Sequence, residues 1–161
     1  MADEHLATYL NDHLAGSVLA VDLLERLEAA DTDMTDSLTA LRNDIEADRR
    51  ELQALMSRLG IVESRSRKVS GWLAEKLTQL KLRVVDDRAG GSLWLLESLE
   101  AVALGVDGKL ALWRALSAAA DVAPELQSAD YQRLTRRAEE QRQRIEVLRL
   151  EAAKAALAPG Q

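Results

Sequence analysis

The chain of 161 residues contains no cysteine and no phenylalanine, and its only prolines are Pro124 and Pro159. The absence of cysteine excludes disulfides, thiolate nucleophiles and cysteine-ligated zinc. Because proline interrupts helices, its scarcity leaves most of the chain free to form long helices. No apolar run approaches the roughly 20 residues that cross a bilayer, and the N-terminus lacks the basic and apolar regions of a signal peptide. The sequence therefore predicts a cytoplasmic protein without a membrane span.

Charged residues make up 30% of the chain and give it a net charge of −6. An acidic chain without a long basic stripe is a poor match for nucleic acid. The sequence contains no glycine-rich phosphate loop, no nucleophile elbow and no Ser/His/Asp set. We therefore predict no nucleic-acid partner and no cofactor, and a non-enzymatic role is favoured over catalysis.

Apolar residues recur with the helical period in four long segments, which predicts four helices. They cover residues 3–29, 36–59, 92–120 and 130–157. Residues 61–91 form a connector of 31 residues, in which the apolar pattern predicts a short helix at 69–82. Gly60 is predicted to end the second helix, and Ser92 and Asp130 are predicted to cap the third and fourth.

The lengths of the connections predict the topology. Short loops join the first helix to the second and the third to the fourth, so each pair is expected to form an antiparallel hairpin. The long connector can run the length of a helix, so the second and third helices can lie parallel. The chain is thus predicted to be all-α, a single domain over residues 1–161, and a ferritin-like antiparallel four-helix bundle with a long helical crossover between helices 2 and 3.

Three runs resemble an uncharacterised bacterial group within the ferritin-like superfamily. They are YLNDHLAG at 9–16, DIEADR at 44–49 and GVDGKLALW at 105–113. The resemblance implies the ferritin-like fold. The lack of catalytic motifs favours a protein that acts by association with itself, as a homodimer, or with a protein partner. Ferritin-like relatives often act in a stress response, and the resemblance suggests the same setting here.

The resemblance raises the question of a metal site. Ferritin-like di-iron proteins need a Glu from each of two helices and a Glu-x-x-His from each of the other two. This chain has two histidines, His5 and His13, and no Glu-x-x-His. We therefore predict no di-iron site and no bound metal. The alternative is a metal-binding or redox protein with a non-standard carboxylate and histidine site, whose candidate ligands are His13, Asp48, Glu51, Glu97 and Glu100.

Each of the four predicted helices carries a polar residue where its apolar stripe should be unbroken: His13, Asp48, Lys109 and Gln141. All four lie within about 40° of the centre of their stripes at 100° per residue, and their levels differ by only ~4.5 Å along the bundle. They are predicted to form one buried polar layer. In it, Lys109 supplies the positive charge that a metal would bring, Asp48 is its counter-ion, and the other two take the remaining hydrogen bonds.

Blander interpretations stay open for the same residues. Lys109 can extend past Gly105 and Gly108 to solvent, and His13 can be an ordinary histidine at the edge of the core. Arg137 and the other arginines of the fourth helix are predicted to be a solvated face.

Two further expectations concern surfaces and clefts. Nothing in the sequence indicates a pocket at the level of the polar layer, so a catalytic Lys109–Asp48 pair is not expected. The wide apolar arc of the third helix, from Leu93 round to Leu116, is the predicted surface of a homodimer.

Overall fold

A computed structural model describes residues 4–30, 33–64, 75 and 91–158. This part of the chain contains four long helices and no strand, so the prediction of an all-α, four-helix protein is confirmed. The helices are α1 (Glu4–Ala29), α2 (Thr35–Arg58), α3 (Ser92–Ala119) and α4 (Tyr131–Leu157), and a 3-10 turn (Pro124–Leu126) precedes α4. Of the short helix predicted at 69–82, only residue 75 is described. No helix among the described residues is long and apolar enough to cross a membrane.

The ends of the helices follow local sequence signals. Gly60 has a φ of 68°, and the bonds Ile61 N to Met56 O (2.9 Å) and Gly60 N to Ser57 O (3.1 Å) close α2 in a Schellman motif. At the start of α4, the Asp130 carboxylate accepts a hydrogen bond from the next turn of backbone, as predicted. The N-cap of α3 is Gly91 and makes no side-chain cap, so the prediction of Ser92 as the cap was wrong.

The four helices are arranged in a ring. Helix α1 packs against α2 and α3, and α3 packs against α4. The ring is closed between α2 and α4 by polar side chains, such as Glu51 with Arg133 at 2.8 Å. Gly105 of α3 faces Ala20 of α1, where an added Cβ would stand 3.8 Å from the Cβ of Ala20. This is an ordinary van der Waals distance, so the two helices pack closely here and an alanine would also fit.

The buried apolar residues form two clusters rather than one. One contains the α1–α2 turn and the first half of α3, and the other contains the opposite end of the bundle. In each helix a few residues separate the members of one cluster from those of the other. The flanking residues are Leu14 and Val21 in α1, Ile45 and Leu52 in α2, Val106 and Leu112 in α3, and Ala138 and Ile145 in α4. Asp48, Lys109 and Gln141 all lie in this gap, so a polar level divides the core into two halves.

Candidate functional site

A triangle of hydrogen bonds joins three helices at the polar level. The Nζ atom of Lys109, on α3, donates to Oδ2 of Asp48, on α2, at 2.6 Å and also to Oε1 of Gln141, on α4. The Nε2 atom of Gln141 donates to the same carboxylate oxygen at 2.7 Å. The side chain of Asp48 is 0% exposed and that of Lys109 is 12% exposed. The structure thus brings together three of the four residues of the predicted layer.

Arg137 completes the cluster, although the sequence placed it on the solvated face of α4. Its Nη2 atom lies 2.9 Å from Oδ1 of Asp48. The geometry gives this contact the character of an ion pair rather than a directed hydrogen bond, because Oδ1 accepts none. Arg137 precedes Gln141 by four residues, so it lies one turn away on the same side of α4. A long side chain at the edge of the apolar stripe can reach the core, and this is why periodicity misassigned it.

The charges of the cluster do not balance when Lys109 is protonated. Burial lowers the pKa of Lys109 below its usual value, and the attraction of Asp48 offsets this only in part. The guanidinium of Arg137 lowers the pKa of Lys109 further. The Lys109 ammonium and Arg137 both face the carboxylate of Asp48, and the more distant Asp44 attracts the ammonium more weakly. Loss of the ammonium proton would leave the cluster neutral.

His13 does not join the triangle. Its half-buried ring packs edge to face against Tyr9, with centroids 4.7 Å apart, and no hydrogen bond links it to the other three predicted residues in the described part of the chain. Burial lowers the pKa of His13, and Asp12 partly offsets this effect. Ser17, one turn further along α1, lies between the two core clusters and donates its hydroxyl to Leu14 O at 2.6 Å. The hydrogen bonds predicted from His13 to the polar layer are therefore not found within the described residues.

A cavity of about 410 Å³ opens beside the polar triangle, between α1, α2 and α3. Lys109, Asp48 and Arg49 form part of its wall, and most of the remainder is apolar. Gly16 and Gly108 also line it, and an added Cβ at either would meet nothing within 4 Å. Nothing in the sequence indicated this pocket. The missing side chains of helix-interior glycines leave the space, and the helical period carries no signal of it.

Two buried donors on the cavity wall lack an acceptor. The Nε of Arg49 and the indole Nε1 of Trp113 make no hydrogen bond within the described residues. The great majority of buried polar atoms in folded proteins are paired. The cavity is therefore apolar in most of its wall, and two of the residues that line it carry buried N–H groups without a partner among the described residues.

The candidate metal ligands do not converge. Glu51 pairs with Arg133 at 2.8 Å, and Glu100 lies 3.5 Å from Arg149. Glu97 and Glu100 precede Lys109 on α3 by about three turns, roughly 13 Å or more along the helix. Within residues 4–30, 33–64, 75 and 91–158, no group of three or more His, Asp or Glu side chains could hold a metal ion.

No family model matches the chain, and no curated protein or solved structure is significantly similar to it. The functional argument therefore depends on the geometry of the polar cluster and the cavity.

Proposed function

We propose that the protein is a non-catalytic, ferritin-like helical bundle in which the Asp48–Lys109–Gln141 cluster stands in place of a di-metal centre. The observation that carries this proposal is the 2.6 Å contact between the Lys109 ammonium and the buried Asp48 carboxylate. Di-metal bundles direct several carboxylates from facing helices at the ions. Here the carboxylate in the core gap, Asp48, is already neutralised by Lys109 and Arg137.

Contacts at both ends of the first hairpin support the antiparallel order of that fold. Near the α1–α2 turn, Arg42 Nε donates to Glu28 at 2.8 Å. At the opposite end, Ser64 N donates to the Asn11 side chain at 2.7 Å, and the Asn11 amide donates to Val62 O at 3.2 Å. The start of α1 thus lies beside the end of α2.

Ion pairs support the predicted crossover. Between α2 and α4, Glu51 pairs with Arg133 and Asp44 pairs with Arg144, so residue numbers rise on one helix as they fall on the other. Between α3 and α4, Arg114 pairs with Glu139 at 2.7 Å and Glu100 pairs with Arg149. If α4 runs against both α2 and α3, then α2 and α3 run parallel. This is the arrangement that a long ferritin-like crossover connects.

The role of the cluster in this proposal is to fix the register of the helices. A buried ion pair roughly breaks even against well-packed apolar residues of the same volume, so its contribution to stability is small. It does penalise arrangements in which Lys109 and Asp48 fail to meet, because each would then be buried alone. The pair therefore selects one alignment of α2, α3 and α4.

The protein is proposed to act by association. Of the arc of α3 that the sequence suggested, Leu93 is 48% exposed, but Leu116 is only 2% exposed and is used inside the bundle. The end of α4 exposes Val147, Leu150 and Leu157, and we propose this surface instead. These three residues lie within about 80° on the helix at 100° per residue. We call them the α4 patch.

A second copy of this chain is the proposed occupant of the α4 patch. Glu151 and Lys154 lie beside the patch and pair with each other at 2.6 Å. Around a twofold axis, the two pairs could exchange partners, so that the glutamate of one copy faces the lysine of the other and the surface is complementary to itself. Self-association as a homodimer fits this pattern.

Two measurements test the proposal. Elemental analysis of protein purified from cells supplied with iron, manganese and zinc is expected to find far less than one metal per chain. Stoichiometric metal would overturn it in favour of the metal-binding or redox alternative. Sedimentation velocity is expected to show a dimer that Leu150→Glu dissociates. The control Val122→Glu replaces an exposed residue outside the patch and should leave the dimer intact. A wild-type monomer at all concentrations would reject self-association.

A further inference from the structure

We propose that the cavity between α1, α2 and α3 binds one small molecule with an apolar body and an anionic head group, of the class of medium-chain aliphatic carboxylates. The proposal concerns a site that the association model does not use. It depends on the size of the cavity, its apolar wall, the buried donors of its lining residues, and Arg49, which makes no ion pair with the residues that the structure describes.

The size and wall of the cavity suit an apolar body. Its volume of about 410 Å³ falls within the roughly 300–1,000 Å³ of small-molecule sites. Leu52, Leu112 and Trp113 form part of the wall, and all three are buried elements of one core cluster. Water gains few hydrogen bonds against such a surface, so an alkyl chain that displaces it is favoured.

The hydrogen-bond donors of the lining residues would pair with a ligand that has acceptor atoms. The Arg49 Nε and the Trp113 Nε1 are buried without a partner among the described residues. Trp113 is also one of the largest fully buried side chains, so its N–H cannot turn to bulk water. The Lys109 ammonium has three protons, and its bonds to Asp48 and Gln141 use two. A carboxylate offers two oxygens with about four acceptor sites, which can match several of these donors at once.

The charges on the wall favour an anion over a neutral acceptor. Asp48 is matched twice, by Lys109 and by Arg137. Arg49 has no carboxylate within 4.0 Å in the part of the chain that the structure describes, and it is only partly exposed. Asp12, the other acid on the wall, is exposed. A guanidinium beside an apolar surface binds a carboxylate through charge-assisted hydrogen bonds, which are about twice as strong as neutral ones.

Isothermal titration with three molecules of equal chain length tests both parts of the proposal. Octanoate is expected to bind saturably, one per chain, at least about tenfold more tightly than octan-1-ol. Octylammonium is expected to bind most weakly. The absence of saturable octanoate binding would overturn the site. Equal affinity for octanoate and octan-1-ol, or preference for octylammonium, would overturn the anionic head group.

Arg49→Gln tests the head-group contact. It is expected to weaken octanoate at least tenfold, about 1.4 kcal/mol at 25 °C, and to leave octan-1-ol unchanged. Arg50→Gln is the matched control. Arg50 is the exposed neighbour of Arg49 on the same helix, and its replacement by glutamine removes the same charge. If both variants lost the same affinity for octanoate, the effect would come from net charge alone, and a specific role for Arg49 would be rejected.

Gly108→Leu tests the location of the site. A Cβ at this position contacts nothing within 4 Å, so the leucine side chain has room to enter the cavity without a clash at its base. Replacing a glycine inside α3 favours the helix, so the variant should melt no lower than the wild type. It is expected to abolish binding of octanoate and octan-1-ol alike. A folded variant that still binds octanoate with wild-type affinity would place the site elsewhere. Neither result depends on whether the protein dimerises or lacks metal.

Discussion

Asp48 and Lys109 are separated by about sixty residues of chain, yet a carboxylate oxygen of one lies 2.6 Å from the ammonium of the other. Both side chains are almost entirely removed from water. An isolated charge in such surroundings is strongly unfavourable, so the two residues depend on each other. Arg137 makes this dependence unequal, because Asp48 has a second cationic partner, whereas among the described residues Lys109 has one carboxylate within ion-pair distance.

The unequal dependence predicts the outcome of substitutions. Asp48→Leu should lower the free energy of unfolding by ~3–5 kcal/mol, because it leaves buried Lys109 without a counter-ion. Lys109→Met should be milder, because Arg137 and Gln141 still contact the carboxylate. The double variant Asp48→Leu/Lys109→Met should recover most of the loss from Asp48→Leu. Urea denaturation measures all three, and small, additive effects would contradict a coupled buried pair.

The lowered pKa of Lys109 predicts an alkaline dependence of stability. The folded protein releases this proton at a lower pH than the unfolded chain, whose lysine has the ordinary pKa of 10.5. Between those two values the unfolded state binds more protons, so the contribution of Lys109 to stability rises with pH and levels off above about 10.5. The measurement is the free energy of unfolding against pH for the wild type and for Lys109→Met.

The difference between the two curves isolates Lys109. Burial raises the pKa of Tyr9 and Tyr131, which makes stability fall as pH rises through the alkaline range, but both proteins share this effect. The wild type should therefore gain stability relative to Lys109→Met between neutral pH and about 10.5. A difference that is flat, or that falls with pH, would show that the pKa of Lys109 is not lowered.

The lowered pKa of His13 predicts how stability changes at acidic pH. Burial lowers its pKa below the ordinary 6.5, so on acidification the unfolded chain takes up the proton first. Its contribution is constant above about pH 6.5 and is lost as pH falls from there through the folded-state pKa. An NMR titration of the imidazole should give a midpoint below 6.5. His13→Phe should reduce the acid sensitivity of the free energy of unfolding over the same interval, and an unchanged profile would argue against it.

Two glycines predict opposite responses to alanine. Gly60 has a φ of 68°, in the left-handed region, so Gly60→Ala should destabilise the protein by about 1 kcal/mol. Gly108 lies inside α3 with open space at its Cβ position, so Gly108→Ala should stabilise it by about 0.5–1 kcal/mol. Thermal melts of the two variants give the comparison. A loss of stability at both positions would show that Gly108 is required for packing.

The sequence predicted the helices and most of the polar level for the same physical reason. A regular helix converts residue number into angle and height, so counting from the turns was enough to bring Asp48, Lys109 and Gln141 together. His13 is the exception, because it lines the same cavity as Asp48 and Lys109 but makes no hydrogen bond with them within the described residues. Periodicity places His13 on the inner face of α1 and does not determine which neighbour its ring contacts.

What the sequence missed depends on distances that periodicity does not contain. The reach of Arg137 from the edge of its stripe is set by side-chain length and by the spacing of α2 and α4. The cavity has open space beside Gly16 and Gly108, where an added Cβ would meet nothing within 4 Å. A helical pattern reports which way a residue points. It does not report how far away the neighbouring helix lies.

The divided hydrophobic core has a consequence for how the molecule opens. Each end has its own apolar cluster, and the seam between them is held by directional bonds to a single carboxylate. Slow amide exchange should therefore resolve two protected zones, one on each side of Asp48, with separate opening energies. Replacing Asp48 should lower the opening free energies of both zones, whereas replacing a core leucine by a smaller residue should lower only that of its own cluster.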